Sequence, residues 1–137
     1  MFSAIISGAV HGLKSHLIQV EVDASKGLPC FQMVGLLGSE VKEARERVKV
    51  ALKNAGIALP AMCINVNLSP ADLRKEGALF DLPVAVGIME VLGYLPEKST
   101  EDILIIGELG LNGEVKPVKG VLPIVMAAGR AGIGCCI

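Results

Sequence analysis

Two hydrophobic periods alternate along this chain, and the switches between them leave little room for anything but a sheet with helices laid against it. Phe2 to Ser7, Leu17 to Val22, Cys30 to Leu36 and Met62 to Leu68 are short runs with strand character. In the second run Ile18, Val20 and Val22 alternate with Leu17, Gln19 and Glu21, the pattern of a strand whose two faces differ. Gly8, Gly12 and Lys14-Ser15 supply the turn before it. From Ser39 the period lengthens. Val41, Ala44, Val48, Ala51 (or Leu52) and Ala55 recur at helical steps until Gly56 ends the stretch. Val48 and Leu52 are therefore expected in the core and Lys49 in water. Ser39 is placed to cap this helix, with Glu40 and Glu43 favourable at its positive end. Lys42/Glu46 and Glu43/Arg47 are spaced to pair across a turn on the exposed side.

A second helix is predicted over Leu82 to Leu92, apolar nearly all round and hence buried. Asp81 precedes it as a cap, Pro83 falls in its first turn and Gly93 stops it. Ile103 to Ile106 reads as a further strand, followed by a two-residue hairpin turn at Asn112-Gly113. Val121 to Ala131 forms a third helix before Gly132, and Gly134 to Ile137 opens another strand. A length of 137 residues with 52% hydrophobic content fits one domain with a single core. The last strand stops inside an apolar run, as expected of a piece of a longer chain.

Charge and composition narrow the function. A net charge of -1 argues against a dedicated polyanion binder, although Lys42, Arg45, Arg47, Lys49 and Lys53 outnumber the acids on the first helix. With no Trp and 3% aromatic residues, the stacking platforms of single-strand binders are missing. No apolar run approaches membrane-spanning length and no signal core is visible, so a cytoplasmic protein without membrane contact is expected. Cys30, Cys63, Cys135 and Cys136 lie in apolar runs without a zinc-knuckle spacing and are read as buried free thiols. The glycines of Gly107-Glu108-Leu109-Gly110-Leu111-Asn112-Gly113 do not lead into a helix with Lys-Ser/Thr, which excludes a phosphate-binding loop.

Between Leu68 and Leu82 runs a long charged connection that includes Asp72, Arg74, Lys75, Glu76 and Asp81. A loop this long and this charged is either functional or a remnant of something functional. Arg74, Lys75 and Glu76 are expected to be accessible there, with Lys75 free to meet a partner.

These stretches carry a family resemblance. Gly27-Leu28-Pro29, Val34-Gly35-Leu36, Val41 to Val48, Ile64 to Gly77, Phe80-Asp81-Leu82-Pro83, Gly107-Glu108-Leu109, Gly113-Glu114-Val115 and Gly120-Val121-Leu122-Pro123 together resemble the N-terminal domain of the Mg-chelatase-like ComM/YifB family of AAA+ ATPases. The match runs over essentially the whole chain and departs at Leu37-Gly38, where the family usually has a proline after Gly-Leu. The resemblance implies a Lon-like domain ahead of an AAA+ module of the same chain, a homo-hexameric motor, and DNA as a further partner, with branch migration in natural transformation as its setting. ATP and Mg would belong to that module, leaving no cofactor or metal for residues 1–137. It also implies an α+β fold: a mixed, mainly antiparallel sheet with helices packed on one face, similar to the Lon protease domain.

Lon-type enzymes use a serine nucleophile and a lysine base. Through Lys75-Glu76-Gly77 the serine position falls on Asp81, and through Gly120-Val121-Leu122-Pro123 the lysine position falls on Leu122. A carboxylate and a leucine cannot replace that dyad. The favoured reading is a non-catalytic accessory domain supporting ring assembly or DNA handling. One alternative is direct DNA contact through Lys42, Arg45, Lys49, Arg74 and Lys75. Another is a degenerate hydrolase in which Asp81 or Glu76 does new work.

Overall fold

The computed structural model describes residues Met1–Ile137. The elements follow the chain as β1 (Phe2–His11), β2 (Lys14–Lys26), β3 (Cys30–Val34), α1 (Ser39–Asn54), β4 (Met62–Ser69), α2 (Asp81–Val91), β5 (Ile103–Leu104), β6 (Glu108–Leu109), β7 (Val115–Lys116), α3 (Val121–Arg130) and β8 (Cys135–Cys136). Six strands form one sheet in the order β3-β4-β2-β1-β5-β8, and β6 and β7 form a separate ribbon. The class is mixed α+β, as expected. The centre of the sheet is antiparallel, β1 with β2 and β2 with β4, while β3, β5 and β8 join in parallel.

The first hairpin is longer than its apolar signal. β1 and β2 continue to His11 and Lys14 and are joined only by Gly12 and Leu13, with Gly12 at φ 62°. Gly8 lies inside β1 rather than in the turn, paired with Leu17, and a glycine is needed there because a Cβ would strike the Ile124 side chain. That contact also places α3. Ile5, Val20, Val22, Ile64, Val66 and Leu68 share the sheet face that α1 and α2 cover, forming the aliphatic core. Gly8 and Val10 point to the opposite face, where they meet Ile124 and Gly120 around the start of α3. The expectation of helices on one face thus holds for α1 and α2 and is corrected for α3.

Val48 is fully buried and Leu52 nearly so, while Lys49 is exposed. Lys49→Ala should accordingly change stability by no more than about 0.5 kcal/mol in a denaturant titration. A larger loss would mean that the α1 stripe is misplaced. Ser39 does not cap α1; it is its first residue, preceded by Gly38, and no side-chain cap bond forms. The Glu43–Arg47 pair forms at 3.5 Å, whereas Glu46 pairs with its neighbour Arg45.

The cysteine expectation is overturned at both ends. Cys30 and Cys63 are half-buried and joined in a disulfide, since β3 and β4 lie side by side in the register that sets these two residues opposite each other. Cys135 and Cys136 are free and exposed. No helix is long and apolar enough to cross a membrane.

Candidate functional site

The charged connection between β4 and α2 does not hang in solvent. Its main chain is stitched to the segment between β3 and α1: Lys75 N donates to Leu36 O (3.0 Å) and Gly38 N donates to Lys75 O (2.7 Å). Gly35 makes this approach possible. It sits at φ 124°, and a Cβ there would fall on the Leu68 carbonyl of β4. Leu36 follows in the left-handed region at φ 58°.

Lys75 is the centre of this junction and is fully buried. Its Nζ donates to Gly35 O at 2.6 Å and to Pro70 O. Burial lowers the ammonium pKa from its ordinary value, and the charge of Asp72 acts in the opposite sense. The expectation of an accessible Lys75 is therefore wrong. A loop lysine usually points to water; this one replaces water for two carbonyls that the fold encloses. Arg74 and Glu76, on either side, are exposed as expected and bond to each other at 2.9 Å.

Asp81 is also fully buried. It does not cap α2; Phe80 holds the cap position, without a side-chain bond, and Asp81 is the first helical residue. Its carboxylate instead receives both arms of a guanidinium: Arg47 Nε donates to Oδ2 at 2.6 Å and Nη2 to Oδ1 at 3.0 Å. Leu109 N, in β6, adds a third donor at 3.1 Å. Arg47 Nη2 also donates to Glu40 O at 2.7 Å, so the Arg47–Asp81 pair together joins α1, α2 and β6. The two partners shift in the same direction for different reasons. The bond to Asp81 raises the Arg47 pKa, against the cost of burial. Burial raises that of Asp81, opposed by the bonds from Arg47 and Leu109 N. Three short donors on one carboxylate favour the ionised pair at neutral pH.

Sequence reasoning placed Arg47 on the solvated side of α1 and missed this role. The available signal was Asp81 itself, a lone charge opening an otherwise apolar helix, which requires a cation from elsewhere in the fold. Leu122, at the position assigned to the lysine base, is mostly exposed near the start of α3. That helix packs chiefly on β1 and β2, while α2 carries Asp81. Of the five basic residues considered for DNA contact, Lys42, Arg45, Lys49 and Arg74 are exposed and Lys75 is not.

Residues 20–137 match the family of subunit ChlI of Mg-chelatase. Competence protein ComM of Haemophilus influenzae is 42% identical over 127 residues, which cover 93% of this chain and 25% of that protein. YifB of Escherichia coli is 40% identical over 130 residues, covering 95% of this chain and 26% of that protein. Lon protease of Mycolicibacterium smegmatis is more distant, 28% identical over 131 residues, covering 91% of this chain and 17% of that protein. The chain spans about a quarter of the length of its ComM and YifB relatives. It belongs to the Mg-chelatase ChlI family, with ComM and YifB as homologues and a weaker similarity to Lon.

Proposed function

We propose that this domain is a non-catalytic accessory part of an AAA+ ATPase, supporting ring assembly or DNA handling. The observation that carries the reading is the buried Asp81–Arg47 pair. Where a Lon-type enzyme would keep its nucleophile, this chain has a carboxylate whose two oxygens accept bonds from Arg47 and Leu109. Such a group holds elements together and is not free to attack a carbonyl or deliver a proton. ATP and Mg are bound by the AAA+ module of the same chain, the working form is a homo-hexamer, and the compartment is the cytoplasm. A reducing compartment would keep Cys30 and Cys63 as thiols.

The experiment compares the full-length protein with a form lacking residues 1–137, measuring ring formation and DNA-stimulated ATP turnover. Loss of either, with basal turnover retained, is the expected result. Wild-type assembly and stimulation without the domain would refute the reading, as would peptide hydrolysis by residues 1–137 alone. Calorimetry of this chain with Mg-ATP should show no sub-millimolar binding, because it contains no Gly-rich loop leading into Lys-Ser/Thr.

Direct DNA contact remains a second reading because Lys42, Arg45 and Lys49 are exposed at helical spacing on α1. Arg45 is partly engaged with Glu46 and the Phe31 carbonyl, and Lys75 drops out of the set. Affinity for duplex DNA that falls steeply with salt and weakens on Lys49→Ala would favour it.

A further inference from the structure

β1 is an interior strand for only part of its length. Met1 and Ala24 exchange backbone bonds in both directions, so the odd-numbered residues of β1 address β2. The even-numbered ones address β5, as Ile6 O does in accepting from Ile105 N at 2.8 Å. β5, however, supplies a partner to Ile6 alone. Before that point the chain turns away, with Ile103 N donating to Thr100 O and Asp102 at φ 65°. The N–H and C=O groups of Phe2 and Ala4 consequently face a gap instead of a strand.

That gap is a cavity of about 580 Å3 between the first half of β1 and the segment 97–102. Ser3 lines it; the residue is only 3% exposed, and its hydroxyl has no hydrogen-bond partner. The far wall is acidic. Glu97, Glu101 and Asp102 are exposed there, against a single cation, Lys98. Glu90 of α2 fixes the shape of this wall by accepting from Lys98 N and from Thr100 Oγ1, each at 2.8 Å. The cavity therefore combines an unpaired strand edge with a held carboxylate wall.

We infer that this cavity is a docking site for an extended peptide segment bearing arginine or lysine, which adds beside Phe2 and Ala4 as a short strand. Strand addition satisfies the idle main-chain groups of β1 and supplies the affinity. Alternate side chains of the incoming segment point towards the acidic wall, which selects positive charge and rejects negative. The site is separate from the buried Asp81–Arg47 pair, so it stands or falls independently of the accessory-domain reading.

The test uses residues 1–137 and a blocked peptide of about five residues in which valine and arginine alternate, followed by backbone amide shifts at low salt. Saturable binding with the largest shifts at Phe2, Ala4 and Thr100 to Asp102 is expected. Replacing arginine by glutamate in the peptide, or Glu101→Gln with Asp102→Asn in the protein, should weaken binding at least about ten-fold. Methylating alternate peptide nitrogens, so that no ladder can form, should abolish it. No binding at millimolar peptide, shifts centred on another surface, equal affinity for the glutamate peptide, or full affinity of the methylated one would each overturn the proposal.

Discussion

Arg47→Leu should destabilise the domain by about 3 to 5 kcal/mol at neutral pH, the cost of leaving one partner of a buried ion pair charged and alone. Asp81 would retain only the Leu109 amide among its three donors. The loss should depend on pH in a direction that identifies its cause. Without the guanidinium, burial dominates and holds the folded-state carboxyl pKa well above its unfolded value of about 3.9. The folded state then binds the proton more tightly than the unfolded state does. Stability is greatest below the unfolded pKa and is lost as pH rises through the folded one. Denaturant titrations of Arg47→Leu should therefore show a deficit at pH 7.5 that narrows steadily towards pH 4.5. A deficit independent of pH would mean that the loss is one of packing and not of charge. Pairing Arg47→Leu with Asp81→Leu should recover most of the stability, since apolar groups of similar size can replace a buried pair at little cost.

Lys75→Met should cost about 2 to 4 kcal/mol, because the carbonyls of Gly35 and Pro70 lose their donor inside the protein and each unsatisfied group costs about 1 to 3 kcal/mol. Methionine keeps most of the volume, so the change isolates the hydrogen bonds from the cavity term. The wild-type pH response supplies a second readout. The Lys75 pKa is lowered in the folded state. Between that value and the unfolded value of about 10.4, the unfolded chain holds the proton that the folded one has released, so stability rises with pH across that window. Lys75→Met should lack this rise. A variant as stable as wild type would show that the connection between β4 and α2 is held by its main chain alone.

Both positions show where a sequence can be read and where it cannot. The Val41–Val48–Leu52 stripe and the alternation of Ile18, Val20 and Val22 were legible because burial within one element repeats at that element's own period. That a hairpin turns around Asn112-Gly113 was legible because its chemistry is local: Gly113 takes φ 88°, and Asn112 Oδ1 accepts from Glu114 N at 3.0 Å. Its two-residue length was not borne out, since Gly110 N donates to Glu114 O and the loop is Leu111-Asn112-Gly113. Lys75, Arg47 and the Cys30–Cys63 pairing were not legible. Each depends on a partner far along the chain: Gly35, Asp81 and a parallel strand register. A lone charge has the same local appearance whether it points to water or to a carbonyl brought in by the fold. The placement of α3 was hidden for the same reason. A glycine in mid-strand signals a close neighbour, but not which helix will arrive or on which face.

The Arg47–Asp81 pair also bears on how this sequence can change over time. Either substitution alone passes through a protein with one buried charge unanswered, whereas the double replacement restores a neutral interior. Divergence at these two sites should thus proceed by rare paired steps, separated by long intervals in which both are held. Across descendants of a common ancestor, positions 47 and 81 are expected to vary together. The exposed positions that flank Arg47 on α1, Glu46 and Lys49, should drift independently.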